Sequence, residues 1–131
     1  MTPTFLASIA LAIAAVETGD NPHRLGLNGE TGPMQISAAC LRDVNAMQDE
    51  IEFTAADTLD PIRARAIFMI YVSHYCTAER LGHEPTVRDY ALCWNAGPYG
   101  MLMPSPRAMD YAERVENLVR DSRATAGKAH Q

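Results

Sequence analysis

The residue best suited to acid chemistry is Glu17, which directly follows a nearly uncharged apolar run over residues 5–16. A carboxyl group on the last turn of a buried helix is partly desolvated, and desolvation favours the neutral acid and raises its pKa. Such a group can donate a proton near neutral pH. The competing interpretation is a helix-end carboxylate that faces water or pairs with Arg24, and Glu17 taken alone does not decide between them.

A second candidate is Gln35, which lies in the apolar segment Gly32–Ile36 (Gly-Pro-Met-Gln-Ile). A single amide among apolar residues must find hydrogen-bond partners. Because an amide offers both a donor and an acceptor, it suits sugar hydroxyls and N-acetyl groups. The alternative is that Gln35 only ties down the preceding glycine-rich loop.

A third candidate is the pair Trp94 and Asn95, which precedes Ala96 and Gly97. An aromatic face beside an amide is common at carbohydrate sites, since sugar C–H faces stack on the ring and polar edges form hydrogen bonds. The alternative is a core tryptophan with Asn95 as a helix C-cap. Together with Glu17 and Gln35, this pair predicts a glycan-cleaving site.

Other chemistries find little support. His74, Cys76 and Cys93 lack the spacing of a metal site, so we expect no metal and no cofactor. Neither these cysteines nor Cys40 has neighbours that would activate a thiolate. With 3 cysteines, full pairing within one chain is impossible. A Cys76–Cys93 disulfide and small apolar core residues both remain open.

The elements that must position these residues are mainly helical. A long irregular loop over residues 19–33 carries glycines and prolines and leaves room for only a minimal β-ribbon. Cap signals are Ser37, Asp60 followed by Pro61, and Thr86 three residues before Asp89. The predicted helices are Pro3–Thr18 (with Thr2 as cap and Gly19 as stop), Ser37–Met47, Asp60 to about Leu81 before Gly82, Thr86 to about Trp94, and Ser105 to about Asp121.

The last predicted helix has one apolar face. The residues of that face are Met109, Ala112, Val115, Leu118 and Val119. Residues 1–121 form one catalytic domain in this interpretation, and residues 122–131 form a polar, flexible tail.

Composition narrows the function. The chain has 131 residues, 47% of them hydrophobic, and a formal net charge of −5, which argues against nucleic acid as a partner. The apolar run over residues 5–16 is too short to span a bilayer and has no basic residue before it, so it predicts a mature helix and no clear signal peptide. The oligomeric state is not predicted.

The order Glu17-Thr18-Gly19, then Gly32–Ile36, then Trp94–Gly97 resembles the lytic transglycosylase family, which shares the lysozyme-like fold with goose-type lysozyme. Its usual pattern is Glu-Ser-Gly, Gly-Leu-Met-Gln-Ile and Tyr-Asn-Ala-Gly, with a late Tyr in the final helix. The resemblance covers roughly residues 5–120. It implies a mainly α, lysozyme-like fold with a loop-rich substrate cleft.

The resemblance also implies roles for individual residues. Glu17 would be the catalytic acid and base, and Met34 and Gln35 would line the sugar cleft, with Gln35 contacting N-acetyl groups. Asn95 would form a hydrogen bond near the scissile bond, and Tyr111 would be the late tyrosine close to the site.

The main departure from the family pattern is Trp94, where a tyrosine is usual. Since an indole can donate but not accept, its contact to the acid is expected to differ. Thr18 replaces the usual serine and keeps the hydroxyl.

The implied reaction is cleavage of peptidoglycan between N-acetylmuramic acid and N-acetylglucosamine, with formation of 1,6-anhydro ends. It would take place in the periplasm or cell wall, reached by secretion or phage delivery. One alternative is a hydrolytic lysozyme in which Glu30 or Asp20 positions water. Another is a cell-wall-binding module without turnover, part of a phage or secretion apparatus.

Overall fold

Helices dominate the computed structural model, which describes residues 3–19 and 25–129. The elements in these ranges are α1 (Pro3–Thr18), α2 (Ala38–Met47), a 3₁₀-helix (Ala55–Leu59), α3 (Pro61–Tyr75), α4 (Ala78–Leu81), α5 (Val87–Gly100) and α6 (Pro106–Ala129). Isolated antiparallel bridges join Leu25 to Thr31 and Thr31 to Ile36, a ribbon without a regular strand in the same ranges. The predicted mainly α fold with a minimal ribbon is confirmed.

The predicted helix starts are confirmed by their caps. The Ser37 hydroxyl accepts a hydrogen bond from the Cys40 backbone N–H at 3.0 Å, and the Asp60 carboxylate accepts one from Ile62 at 2.9 Å. Thr86 begins α5 with the expected capping box, because the backbone N–H of Thr86 donates to the Asp89 carboxylate at 2.8 Å. Each cap satisfies a backbone donor that the helix leaves open, worth about 0.5–2 kcal/mol.

The predicted helix from Asp60 to Leu81 is wrong in one respect, because it is interrupted after Tyr75. The Thr77 hydroxyl accepts a hydrogen bond from the Arg80 N–H at 3.3 Å and so starts a separate short helix. A threonine favours this cap position over a helix interior. The predicted stop at Gly82 is confirmed, since Gly82 has a left-handed φ of 78°.

Two further helix ends differ from the prediction. Helix α5 continues beyond Trp94 to Gly100 and is kinked at Gly97, which has φ 81° and ψ 179° and precedes Pro98. Helix α6 runs to Ala129 instead of ending near Asp121. A polar composition after residue 121 therefore did not mark the end of the helix. The division between a domain and a flexible tail stays a prediction.

Helix α6 packs against α5 and α1. The predicted apolar face was partly wrong, because Met109 and Leu118 are 40% and 38% exposed. The side chains that face the core at helical spacing are Ala108, Tyr111, Ala112, Val115 and Val119. The buried stripe thus lies slightly to one side of the predicted one, and it includes Tyr111.

Helix α1 is buried on most sides, as predicted, whereas its predicted cap Thr2 lies outside the described residues. Ile9 and Ile13 are fully buried, and Leu11 is 55% exposed. No helix in the described ranges combines the length and the apolar character that crossing a bilayer requires. The last turn of α1, which carries Glu17, lies against the loop that follows, because the Thr18 hydroxyl donates to the Pro33 carbonyl.

That loop is pinned to the 3₁₀-helix at Gly32. The Thr31 and Thr58 hydroxyls are 2.6 Å apart, and the Thr58 hydroxyl also donates to the Ala55 carbonyl at 2.7 Å. Gly32 has a φ of +80°, and a Cβ there would lie 1.8 Å from the Thr58 carbonyl oxygen. Only glycine fits, because both the backbone conformation and the space exclude a side chain.

Gly32→Ala is expected to lower the free energy of unfolding by roughly 3 kcal/mol, through combined backbone strain and overlap. Gly29 is the matched control, since it has a similar φ of +84° but a Cβ there meets no described atom within 4 Å. Gly29→Ala should cost only about 1 kcal/mol. Urea unfolding measures both, and equal losses would contradict the role of the Thr58 contact.

Candidate active site

Glu17 opens onto a cavity of about 440 Å³, a volume in the usual range for small-ligand sites. The end of α1, the loop before α2, the middle of α5 and the first turn of α6 all contribute to its wall. The lining residues are Glu17, Gly26, Leu27, Asn28, Glu30, Gln35, Ser37, Trp94, Asn95 and Arg107. Four residues predicted from separate parts of the sequence are thus brought together.

A second cavity of about 180 Å³ adjoins the first. Both are lined by Gln35, Ser37, Trp94 and Asn95, and the second extends to Cys40, Tyr71 and Gly97. The shared walls make the two cavities one groove, which leads from Glu17 along α5.

The position of Glu17 is fixed through its neighbour Thr18. The Thr18 hydroxyl donates to the Pro33 carbonyl at 2.9 Å and has the Ala14 carbonyl as a second acceptor at 3.3 Å. The following Gly19 ends the helix with a left-handed φ of 63°. The last turn of α1 is therefore tied to the Gly-Pro turn, and the half-buried Glu17 is held at the cavity wall.

Gln35 has a φ of 53°, the left-handed region that residues other than glycine seldom adopt. Its backbone N–H and its side-chain Nε2 both donate to the Gly32 carbonyl, at 3.1 and 3.0 Å. The loop-tying role considered from the sequence is therefore real, and Gln35 lines both cavities as well. Strained backbone that is held by surrounding contacts is typical of binding sites.

Glu30 adds a second carboxylate to the cavity that contains Glu17. Its Oε2 accepts a hydrogen bond from the Asn28 backbone N–H at 3.2 Å. A Cβ at Gly26 would lie 2.2 Å from this oxygen and 2.5 Å from Gln35 Oε1. The side chains of Glu30 and Gln35 therefore both pack against the backbone of Gly26. Asp20 and Arg24, also considered from the sequence, lie outside the described residues.

The indole N–H of Trp94 donates to the Met34 carbonyl at 3.2 Å. The ring packs edge-on against Phe68 and Tyr71, with centroid distances of 5.3 and 5.5 Å. Trp94 therefore forms a fixed wall that is part core and part cavity. The side chain of Trp94 has one hydrogen-bond donor, and that donor binds a carbonyl of the loop. A tryptophan fits at this position because its N–H is satisfied there.

Two predicted site residues do not line the cavities. The side chain of Met34 is 1% exposed and belongs to the core, so its contribution to the site is the carbonyl that holds Trp94. The expectation that the Met34 side chain lines the cleft beside Glu17 does not fit this burial. Sulfur in an apolar core is ordinary packing.

The second of them is Tyr111, which is 4% exposed and whose hydroxyl finds no hydrogen-bond partner among the described residues. Burial raises the pKa of Tyr111 well above its ordinary value, and the negative charge of Glu17 raises it further. The neutral phenol therefore lies close to Glu17 but behind the cavity wall. An unsatisfied buried hydroxyl is costly, and one next to a candidate acid indicates a functional position.

Sequence reasoning missed Ser37 and Arg107 as cavity residues. Ser37 was predicted only as a helix cap, and its capping bond leaves it at the wall of both cavities. Arg107, in the first turn of α6, gave no signal in the sequence. Only the docking of α6 beside α5 brings it to the cavity.

The cysteines are free thiols, so the disulfide considered from the sequence is not formed. Cys76 and Cys93 are buried, which agrees with their interpretation as apolar core residues. Burial, the Asp43 charge and Cys93 raise the pKa of Cys40 to about 12, so Cys40 is protonated and a poor nucleophile. Within the described ranges, no three His, Cys, Asp or Glu side chains are grouped as metal ligands.

Comparison with known proteins supports the fold. No family model and no curated protein sequence matches the chain. A solved structure, the 70 kDa soluble lytic transglycosylase SLT70 from Escherichia coli, matches with a TM-score of 0.73 and 21% identity. The match covers 92% of this chain and 22% of that protein. The fold is therefore that of the lysozyme-like lytic transglycosylase domain, and the chain spans about a fifth of its structural neighbour.

Thr18→Val is expected to lower the free energy of unfolding by about 1–2 kcal/mol, because it removes the donor to the Pro33 carbonyl. Thr18→Ser keeps the hydroxyl and should cost less than about 0.5 kcal/mol. Denaturant unfolding distinguishes them. If the two variants are equally stable, the hydrogen bond to the loop does not hold the end of α1.

Proposed function

We propose that the chain is a peptidoglycan lytic transglycosylase that cleaves the β-1,4 bond between N-acetylmuramic acid and N-acetylglucosamine. The observation that carries the proposal is the position of Glu17, on the last turn of a buried helix and at the wall of a groove shared with Gln35, Trp94 and Asn95. The structural neighbour, which has the same fold, is a soluble lytic transglycosylase.

In the proposed reaction, Glu17 protonates the oxygen of the glycosidic bond as that bond to the muramoyl C1 breaks. The substrate's N-acetyl group stabilises the positive charge that develops at C1. Glu17, now a carboxylate, accepts the proton of the muramoyl C6 hydroxyl, whose oxygen forms the new bond to C1. The product is a 1,6-anhydro sugar, no water is consumed, and Glu17 regains its proton.

The other groove residues have binding roles in this proposal. Gln35 and Asn95 provide amides to N-acetyl and hydroxyl groups, and Trp94 provides an apolar wall. Tyr111 supplies a buried neutral hydroxyl near Glu17, available to a hydrogen bond in the bound state. We propose the periplasm or cell wall as the place of action, with peptidoglycan strands as the partner and no cofactor.

Glu17→Gln keeps the size of the side chain and removes the proton donor. We expect cleavage of purified sacculi to fall by a factor of about 10²–10⁴, the usual contribution of general acid catalysis. Mass spectrometry of the released muropeptides measures the rate and shows whether the wild type leaves anhydromuramoyl ends. Parental activity in a normally folded Glu17→Gln variant would refute the assignment. A wild type that binds sacculi but releases nothing would instead identify a binding module.

Hydrolysis is the second candidate function, and the observation in its favour is the presence of Glu30 in the same cavity as Glu17. A glycosidase that uses water commonly needs a second carboxylate to activate it. Glu30→Gln keeps an oxygen to accept from Asn28. Under the transglycosylase proposal, this variant should still leave anhydro ends. Reducing ends from the wild type, lost in Glu30→Gln, would establish the hydrolase.

A further inference from the structure

Arg107 is the cation in the wall of the cavity that contains Glu17, and the proposed reaction gives it no role. The other ionisable residues of that wall are Glu17 and Glu30. Glu17 is the proposed acid, and Glu30 accepts a hydrogen bond from the Asn28 backbone N–H. Because a guanidinium stays protonated in proteins, Arg107 is a permanent positive charge at the cavity.

The part of the fold that the structure describes does not use the charge of Arg107. The ion pairs within residues 3–19 and 25–129 are His83–Asp89, Arg88–Glu116 and Arg114–Asp110. The first turn of α6 is capped by the Ser105 hydroxyl, which accepts a hydrogen bond from the Ala108 backbone N–H at 3.1 Å. The side chain of Arg107 is exposed and takes part in neither the ion pairs nor the cap.

Arg107 also opposes the local preference of its own helix. It is the second residue of α6, whose first turn contains no acidic residue. The N-terminus of a helix carries a partial positive charge, so a cation there lowers the stability of the helix slightly. A residue that breaks a local rule without a compensating contact in the fold indicates a role in binding.

The chemistry of a guanidinium defines the ligand group. Its planar, parallel N–H donors match a carboxylate, which accepts two hydrogen bonds side by side. In the polymer of the proposed function, the muramoyl unit carries a lactyl ether at C3, whereas N-acetylglucosamine carries no carboxylate. The lactyl carboxyl group is free in strands without peptide. In strands with peptide it forms an amide, and the peptide then supplies carboxylates.

The proposed reaction brings this part of the substrate to Arg107. Glu17 acts at C1 of the muramoyl unit, and C1 and C3 belong to the same sugar ring. A ring bound with C1 at Glu17 therefore has its C3 substituent in or beside the cavity that Arg107 lines. Glu30, on the loop before α2, repels a carboxylate, whereas Arg107, on α6, attracts one. The two charges favour a muramoyl unit whose anionic side faces α6.

We infer that Arg107 is a substrate-recognition residue that binds a carboxylate of the muramoyl unit, carried either by the lactyl group or by the attached peptide. This inference rests on the proposed function for the identity of the polymer. It adds that the protein distinguishes peptidoglycan strands from strands of N-acetylglucosamine alone.

The test is direct binding in the Glu17→Gln background, so that nothing is cleaved, measured by isothermal titration calorimetry. The probes are three hexasaccharides. Two alternate N-acetylglucosamine with N-acetylmuramic acid, one without peptide and one with it, and the third contains only N-acetylglucosamine. Arg107→Gln should weaken binding of at least one muramoyl probe by about 3–10-fold, the loss expected for one exposed charge pair. Binding of the neutral probe should not change.

The muramoyl probe that loses affinity identifies the source of the carboxylate. A loss confined to the strand without peptide assigns it to the lactyl group, and a loss confined to the strand with peptide assigns it to the peptide. Arg107→Lys keeps the charge and should lose less affinity than Arg107→Gln. Arg120→Gln is the matched control, because Arg120 is an exposed arginine of the same helix that does not line the cavity. It should bind all three probes like the parent.

A structural role of Arg107 would appear in thermal unfolding. Since Arg107→Gln removes a cation from the N-terminus of α6, its unfolding temperature should equal or slightly exceed that of the parent. Unchanged binding of both muramoyl probes, or an equal loss for all three probes, would overturn the role of Arg107 without affecting the catalytic assignment. If the parent binds none of the probes, the proposed function and this inference both fall.

Discussion

The turn Gly32–Ile36 holds the two halves of the site at a fixed separation. Two consecutive carbonyls of this turn are the anchors. Pro33 accepts from the Thr18 hydroxyl at the end of α1, and Met34 accepts from the Trp94 indole on α5. The turn itself is immobilised by Gly32 against Thr58 and by the double hydrogen bond of Gln35 to Gly32. Since both anchors are backbone atoms, the spacing between the acid and the indole is set by the main chain.

Much of this arrangement follows from local sequence rules. Helix starts at Ser37, Asp60 and Thr86 were predictable because a cap is a contact between residues that are close in sequence. The residue types of Glu17, Gln35, Trp94 and Asn95 suggested one site, and the family resemblance supported their clustering, since local rules do not reach across such large sequence separations. The break before Thr77 was not predicted because it depends on a single contact, in which the Thr77 hydroxyl caps a new helix instead of lying inside a continuous one.

Other features depend on how helices dock, which composition does not reveal. Arg107 reaches the cavity and Met109 faces solvent because of the rotation of α6 about its own axis. The same rotation buries Tyr111 beside Glu17. A sequence pattern predicts the apolar face of a helix only to within about one residue. An error of one residue decides which side chain of the helix lines the cavity. The match to SLT70 at 21% identity supports the docking of the helices, and the side chains in the groove carry the functional proposal.

Trp94 is the single tryptophan of the chain, and it stands at the wall shared by two adjoining cavities. Its indole is immobilised by one hydrogen bond and two aromatic neighbours, while part of the ring is open to the groove. The tryptophan fluorescence of the protein therefore originates at the site itself. Occupancy of the groove can be read optically, without a label and without turnover.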